Sequence, residues 1–232
     1  MKKIKIVFLG ILMVMLFCVP VLADEVYTIS VSGDAIVREA PDQAVVNVSV
    51  VTEGTELEKV LEENNEKTQK LINNLKDNQI KDENIKTNFS ISPRYNYDKK
   101  DYPRIGGYQV TNQVTFTTTN IKQLGNLLNS VVESGANDVG GIYFDKADKS
   151  ELANLALTEA IFNAKNKAVV IANALGIRVG SVVDVQESVY APTTRSNTAS
   201  IQDMGEGFSS VPISEGTISV NASVTITYEI IQ

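Results

Sequence analysis

Two stretches far apart in this chain read as one pattern. GGYQVTNQVTFTT at 106–118 lies over GTISVNASVTITY at 216–228, with apolar and polar residues alternating in both. A period of two marks a strand with one buried face. Upstream of each lies a helical stripe. The first is Leu57, Val60, Leu61, Leu71, Ile72 and Leu75, with Asn64 and Thr68 on the same face. One hundred positions later it recurs as Leu157, Ala160, Ile161, Ala164, Ala168, Ile171, Ala172 and Leu175. Any two amphipathic helices share a 3.6-residue period, but the matching hairpins favour duplication. The expected fold is therefore α+β, with roughly seven strands and three helices. Its core is a duplicated strand-helix-strand-strand unit over about 43–118 and 138–230.

The remaining elements fill in around this unit. Alternation predicts strands at about 26–38, 84–93, 107–118, 138–145, 179–190 and 216–230, with a further strand after the Glu39–Asp42 turn in which Val46, Val48 and Val50 alternate with Asn47 and Ser49. The first helix is expected to start at Thr55, with Glu58 completing a capping box. The second runs from Asn120 to Gly135, and the third from Asp148 and Glu151 to Gly176. In the closing strand Ile218, Val220, Ala222, Val224, Ile226 and Tyr228 point inward. Its outward face is Thr, Ser and Asn. A long strand of low charge at a sheet edge is a template for another chain, so Thr225 is an expected self-association position.

The N-terminus decides the compartment. Lys2, Lys3 and Lys5 precede an apolar run from Ile6 to Val19, and Pro20 is followed by Val21-Leu22-Ala23. This is the three-part pattern of a secretory signal peptide. Residues 1–23 are expected to be removed after Ala23, leaving 24–232 as the mature domain, periplasmic or secreted to the cell surface. The alternative is an uncleaved anchor, but the run is short of the roughly 20 residues of a membrane span. Phe17 rather than a small residue precedes Cys18, which argues against a lipid-acceptor role.

Absences then restrict the chemistry. The chain has no His, no Trp and one Cys, and that cysteine lies in the leader. Ser-His-Asp and Cys-His nucleophiles, the usual zinc sites and thiol redox are all excluded from the mature part. No catalytic residue, metal ligand or cofactor is expected, and the protein is expected not to be an enzyme. A net charge of −7, more acidic still without the leader, argues against a nucleic-acid partner.

Few segments remain as candidate sites. Gly135, Gly140 and Gly141 follow a helix and enter a strand, the reverse of a dinucleotide-binding turn. Asp145, Asp148 and Glu151 do not fit a calcium loop. Gly33-Asp34 and Arg38–Asp42 read as turn chemistry. The strongest candidate is the tyrosine-rich loop from Arg94 to Arg104. Arg94, Tyr95, Tyr97, Tyr102, Arg104 and Tyr108 have the composition of a contact surface; the alternative is a solvated hairpin tip. At the equivalent place in the second half lies Ala191–Glu215, longer than the roughly 12–15 residues of a plain connector.

Four segments together carry a family likeness: ISVSGDAIVREAPDQAVVNVSV at 29–50, GYQVTNQVTFTTTNIKQLGNLLNSVVESGANDVGGIYF at 107–144, ALTEAIFNAKNKAVVIANALGIRVGSVVDVQE at 156–187 and ISVNASVTITYEI at 218–230. In order and spacing the chain resembles the SIMPL-domain family across nearly all of its mature part. The resemblance implies an exported bacterial protein with no established catalytic site. It also implies an indirect link to oxidative-stress defence, and self-assembly into a homo-oligomer. A binding module that captures an envelope protein or polysaccharide through the 94–104 and 191–215 loops is the competing expectation.

Overall fold

The computed structural model describes residues 27–96, 104–191, 195–197 and 215–231, the three residues 195–197 by backbone alone. The elements in chain order are β1 (Thr28–Glu39), β2 (Gln43–Gly54), α1 (Leu57–Asp77), β3 (Ile85–Asn96), β4 (Arg104–Thr118), α2 (Leu124–Glu133), β5 (Asp138–Asp145), α3 (Ser150–Leu175), β6 (Arg178–Tyr190), β7 (Arg195–Asn197) and β8 (Ile218–Ile231). The fold is α+β, as the alternating patterns imply. Among the described residues, seven long strands and the three-residue β7 form two antiparallel sheets, ordered β3-β4-β2-β5-β7 and β1-β8-β6.

The two sheets share a motif. β4 lies between β2 and β3, and β8 lies between β1 and β6. A helix precedes the outer strand in each case: α1 before β3, α3 before β6. The strand that flanks β8 is thus β1, from the start of the chain, whereas β5 pairs with β2.

Each sheet buries one face under its helix. Val46, Val48 and Val50 of β2 and Val114 and Phe116 of β4 pack with Leu71 and Leu75 of α1, and with Leu124, Leu128 and Val131 of α2. Alternation along β2 and β4 puts these side chains on one face. The second core is made of Val220, Val224, Ile226 and Tyr228 of β8, Val31 and Ala35 of β1, and an alanine stripe of α3. That stripe is Ala156, Ala160, Ala164, Ala168 and Ala172, spaced by four residues. All six closing-strand residues expected to point inward are buried.

Asn64, on the apolar face of α1, is fully buried. Its amide donates to the carbonyls of Val50 (2.9 Å) and Val110 (3.1 Å) and to Thr52 Oγ1 (3.2 Å). The Thr52 hydroxyl donates onward to the Val60 carbonyl at 3.1 Å. One polar side chain thereby ties α1 to both β2 and β4, and its burial is offset by complete pairing.

Small residues set the distance between α3 and its sheet. A Cβ placed on Gly33 of β1 would sit 2.1 Å from the Ala160 carbonyl oxygen and 2.4 Å from the Ala164 nitrogen. The helix backbone thus rests directly on the strand. Asn163 Nδ2 donates to the Asp34 carbonyl at 2.9 Å, and Lys167 Nζ donates to the Ser32 carbonyl at 2.5 Å. These carbonyls straddle Gly33 on a strand that, among the described residues, pairs on one side only, so α3 side chains blunt this edge.

Four sequence expectations need correction. Glu58 forms no capping box: the residue preceding α1 is Glu56, which makes no side-chain cap bond and instead pairs with Lys59 at 2.8 Å. Ile161, Ile171 and Leu175 are exposed rather than core, because the alanines take the buried face. The third helix starts at Ser150, and Asp148 accepts the Ser150 N–H at 2.8 Å from just outside it. The closing strand is no edge, since β8 is hydrogen-bonded on both sides, to β1 and β6.

Candidate functional site

The Arg94–Arg104 loop springs from the ends of β3 and β4, and the described part of its base forms a cleft of about 370 Å³. Glu53, Gly54 and Thr55 at the end of β2, Arg94, Tyr95 and Asn96 at the end of β3, and Gly106 and Gly107 at the start of β4 line it. Strand pairing brings them together: Gly54 opposes Tyr108, Pro93 opposes Tyr108 from the other side, and Arg94 opposes Gly107. The ladder slips by one residue between Arg94 and Tyr95, which turns the strand end as bulges do.

Glycine is needed at position 107, where the added atom would meet backbone. A Cβ on Gly107 would lie 2.7 Å from the Gly54 carbonyl oxygen, and one on Gly106 would lie 2.5 Å from the Asn96 side chain. Arg94 Nη1 donates to Glu53 Oε2 across the mouth, with both side chains about half exposed. An exposed pair of this kind contributes little to stability. Its consequence is orientation: a guanidinium and a carboxylate are held side by side above a floor of glycine backbone. Tyr95 also lines the cleft and is 47% exposed. The arrangement offers hydrogen-bond donors, acceptors and an aromatic side chain, and among the described residues that line it none is a nucleophile held by a base.

The expected site residues therefore divide. Arg94 and Tyr95 line the cleft, and Tyr108 flanks it on β4. Arg104 opens β4, opposite Asn96, and is exposed. Tyr97 and Tyr102 lie outside the described residues. Thr225 belongs to the other sheet. It opposes Ser32, and the two hydroxyls are 3.1 Å apart on a polar face. Sequence reasoning missed Glu53, which is 41 positions from Arg94 and becomes its neighbour only through the β2–β4–β3 register.

A second polar cluster joins the two sheets. Lys146 pairs with Glu39 (3.0 Å) and Asp42 (3.7 Å), and Lys149 pairs with Asp145 at 2.7 Å. Its hydrogen bond to Glu39 raises the Lys146 pKa, against the cost of burial. The Asp42 carboxylate accepts the Ala147 N–H at 2.8 Å, and the Asp42 N–H reaches the Asp145 carbonyl at 3.1 Å. These contacts fix the β1–β2 turn against the entry to α3, which accounts for the Arg38–Asp42 segment structurally. Among the described residues no group of three or more acidic, His or Cys side chains could hold a metal ion. No described helix is long and apolar enough to cross a membrane.

The family model SIMPL, a protein of unknown function (DUF541), matches residues 29–228. The chain belongs to the SIMPL family. It is 30% identical over 87% of its length to the 26 kDa periplasmic immunogenic protein of Brucella melitensis, covering 84% of that protein. It is 27% identical to the uncharacterized protein YggE of Escherichia coli K12, over 70% of this chain and 67% of that one.

Proposed function

We propose that this chain is an exported, non-enzymatic protein of the cell envelope or exterior that works by associating with copies of itself. The observation that carries the reading is the apolar surface of α3, where Leu155, Phe162, Val169, Val170 and Leu175 are 43–67% exposed. Apolar side chains gathered on one helix point to a covering surface. Export is supported by the leader pattern and by a relative named as periplasmic. An indirect part in stress tolerance follows from the family resemblance, with no reactive thiol or imidazole in the mature chain to make it catalytic. Cross-linking of the exported protein in intact cells tests the reading. A ladder of homo-oligomers supports it, and a single uncross-linked band at native expression contradicts it.

The second reading rests on the cleft between Glu53, Arg94, Tyr95 and Gly107. Paired charges and a half-exposed tyrosine suit the hydroxyls of a polysaccharide or an extended peptide. Here the chain is a binding module acting through the 94–104 and 191–215 loops. Titration with envelope glycan fragments, followed by tyrosine fluorescence, separates this reading from the first.

A further inference from the structure

Resting on the reading that the chain self-associates, we propose that two copies dock through α3, antiparallel, about a two-fold axis passing at Phe162. Leu155, Phe162 and Val169 are 49%, 62% and 43% exposed and recur every seven residues. At 100° per residue, seven residues return to nearly the same side of a helix, so the three form one seam. The alanine stripe at 160 and 164 is buried against β1, and Phe162, two residues from each, lies on the opposite side of the helix.

The seam is symmetric about its middle residue. An antiparallel copy centred on Phe162 sets Leu155 against the partner's Val169, Val169 against the partner's Leu155, and Phe162 against itself. This is the self-complementary pattern of an isologous interface. Charge chooses the direction. Glu159 and Lys165 lie three residues on either side of Phe162, and both are exposed. A parallel, in-register pair would stack Glu159 on Glu159 and Lys165 on Lys165. The antiparallel pair brings opposite charges to one level across the seam. It also sets Glu159 beside the partner's Asn166 and Thr158 beside the partner's Lys165, each a donor with an acceptor. A second copy of this chain therefore fits the face without opposed like charges. One apolar residue per seven makes a narrow contact, below the roughly 1,200 Å² at which specific, stable interfaces begin, so association is weak and depends on concentration.

Single-cysteine cross-linking tests the geometry. In a chain carrying Cys18→Ser, Phe162→Cys, Leu155→Cys and Val169→Cys are made singly and oxidised mildly at high protein concentration. Far-ultraviolet circular dichroism confirms that each is folded. Phe162→Cys is expected to form a disulfide dimer with itself. Leu155→Cys and Val169→Cys are each expected to stay single alone and to form the mixed dimer when combined. Self-linked dimers of Leu155→Cys and of Val169→Cys would mean a parallel pair and overturn the proposal. Absence of a Phe162→Cys dimer overturns it too. Light scattering on the parent chain tells the two failures apart: a self-associating parent leaves the broader reading standing, and a monomeric parent removes both.

Discussion

Gly33 of β1 lies so close to Ala160 of α3 that a single methyl group on it would sit 2.1 Å from the Ala160 carbonyl oxygen. The atom met is backbone, not the end of a flexible side chain, so relief requires the helix to move. Asn163 and Lys167 hold that helix to the carbonyls on either side of Gly33.

Gly33→Ala is therefore expected to destabilise the fold by about 3 kcal/mol, the upper part of the usual range for overpacking. The denaturant midpoint by circular dichroism measures this. A loss smaller than about 1 kcal/mol would mean that α3 is free to shift on its sheet.

Asn64→Leu keeps the volume of the side chain and removes its amide. The Val50 and Val110 carbonyls then lose a buried donor. The expected loss is about 2–3 kcal/mol, the cost of leaving buried acceptors unpaired. Urea titration of the variant beside the parent checks it, and unchanged stability would show that the sheet carbonyls do not need this side chain.

Asp148 sits below its ordinary pKa of 3.8 because the Ser150 hydroxyl and backbone N–H donate to its carboxylate. A carboxyl with a depressed folded-state pKa stabilises above its unfolded value and loses that stabilisation as pH falls through the folded one. Asp148→Ala is thus expected to lower the thermal midpoint at neutral pH. The gap between variant and parent should close below about pH 3.8, as the carboxylate protonates. A gap that is independent of pH would assign the effect to packing instead of charge.

Oxidant protection by this chain is expected to be stoichiometric at most. Residues 24–232 have no Cys or His, and Met204 is their one methionine, so few groups there can be oxidised. Peroxide consumption by metal-free protein measures this directly, and sustained turnover well beyond one equivalent contradicts it.

Much of the fold is legible from alternation alone. β8 alternates cleanly, and every inward residue expected in it is buried. Pairing order is not legible in the same way, because it depends on which strand fills the place beside β8. That strand is β1, from the other end of the chain. The consequence falls on Thr225, expected at an edge and found opposite Ser32 in a strand paired on both sides. In α3 the periodic stripe misleads at Ile161, Ile171 and Leu175. Hydrophobicity favours those larger residues for the core, whereas close approach at Gly33 admits only alanine. Arg94 and Tyr95, which line one cleft, were legible from composition as candidate site residues. Glu53 was not, because its proximity to Arg94 exists only in the folded sheet.

Another copy of the chain is proposed to cover the exposed apolar face of α3. Light scattering coupled to size exclusion, run on residues 24–232 across loading concentrations, tests it most directly when Phe162→Glu is run beside the parent. The expected result is a parent mass that rises above that of one chain with concentration, while Phe162→Glu stays at the single-chain value with its circular dichroism unchanged. A parent that remains a single chain at every concentration, or an oligomer that Phe162→Glu leaves intact, would contradict it.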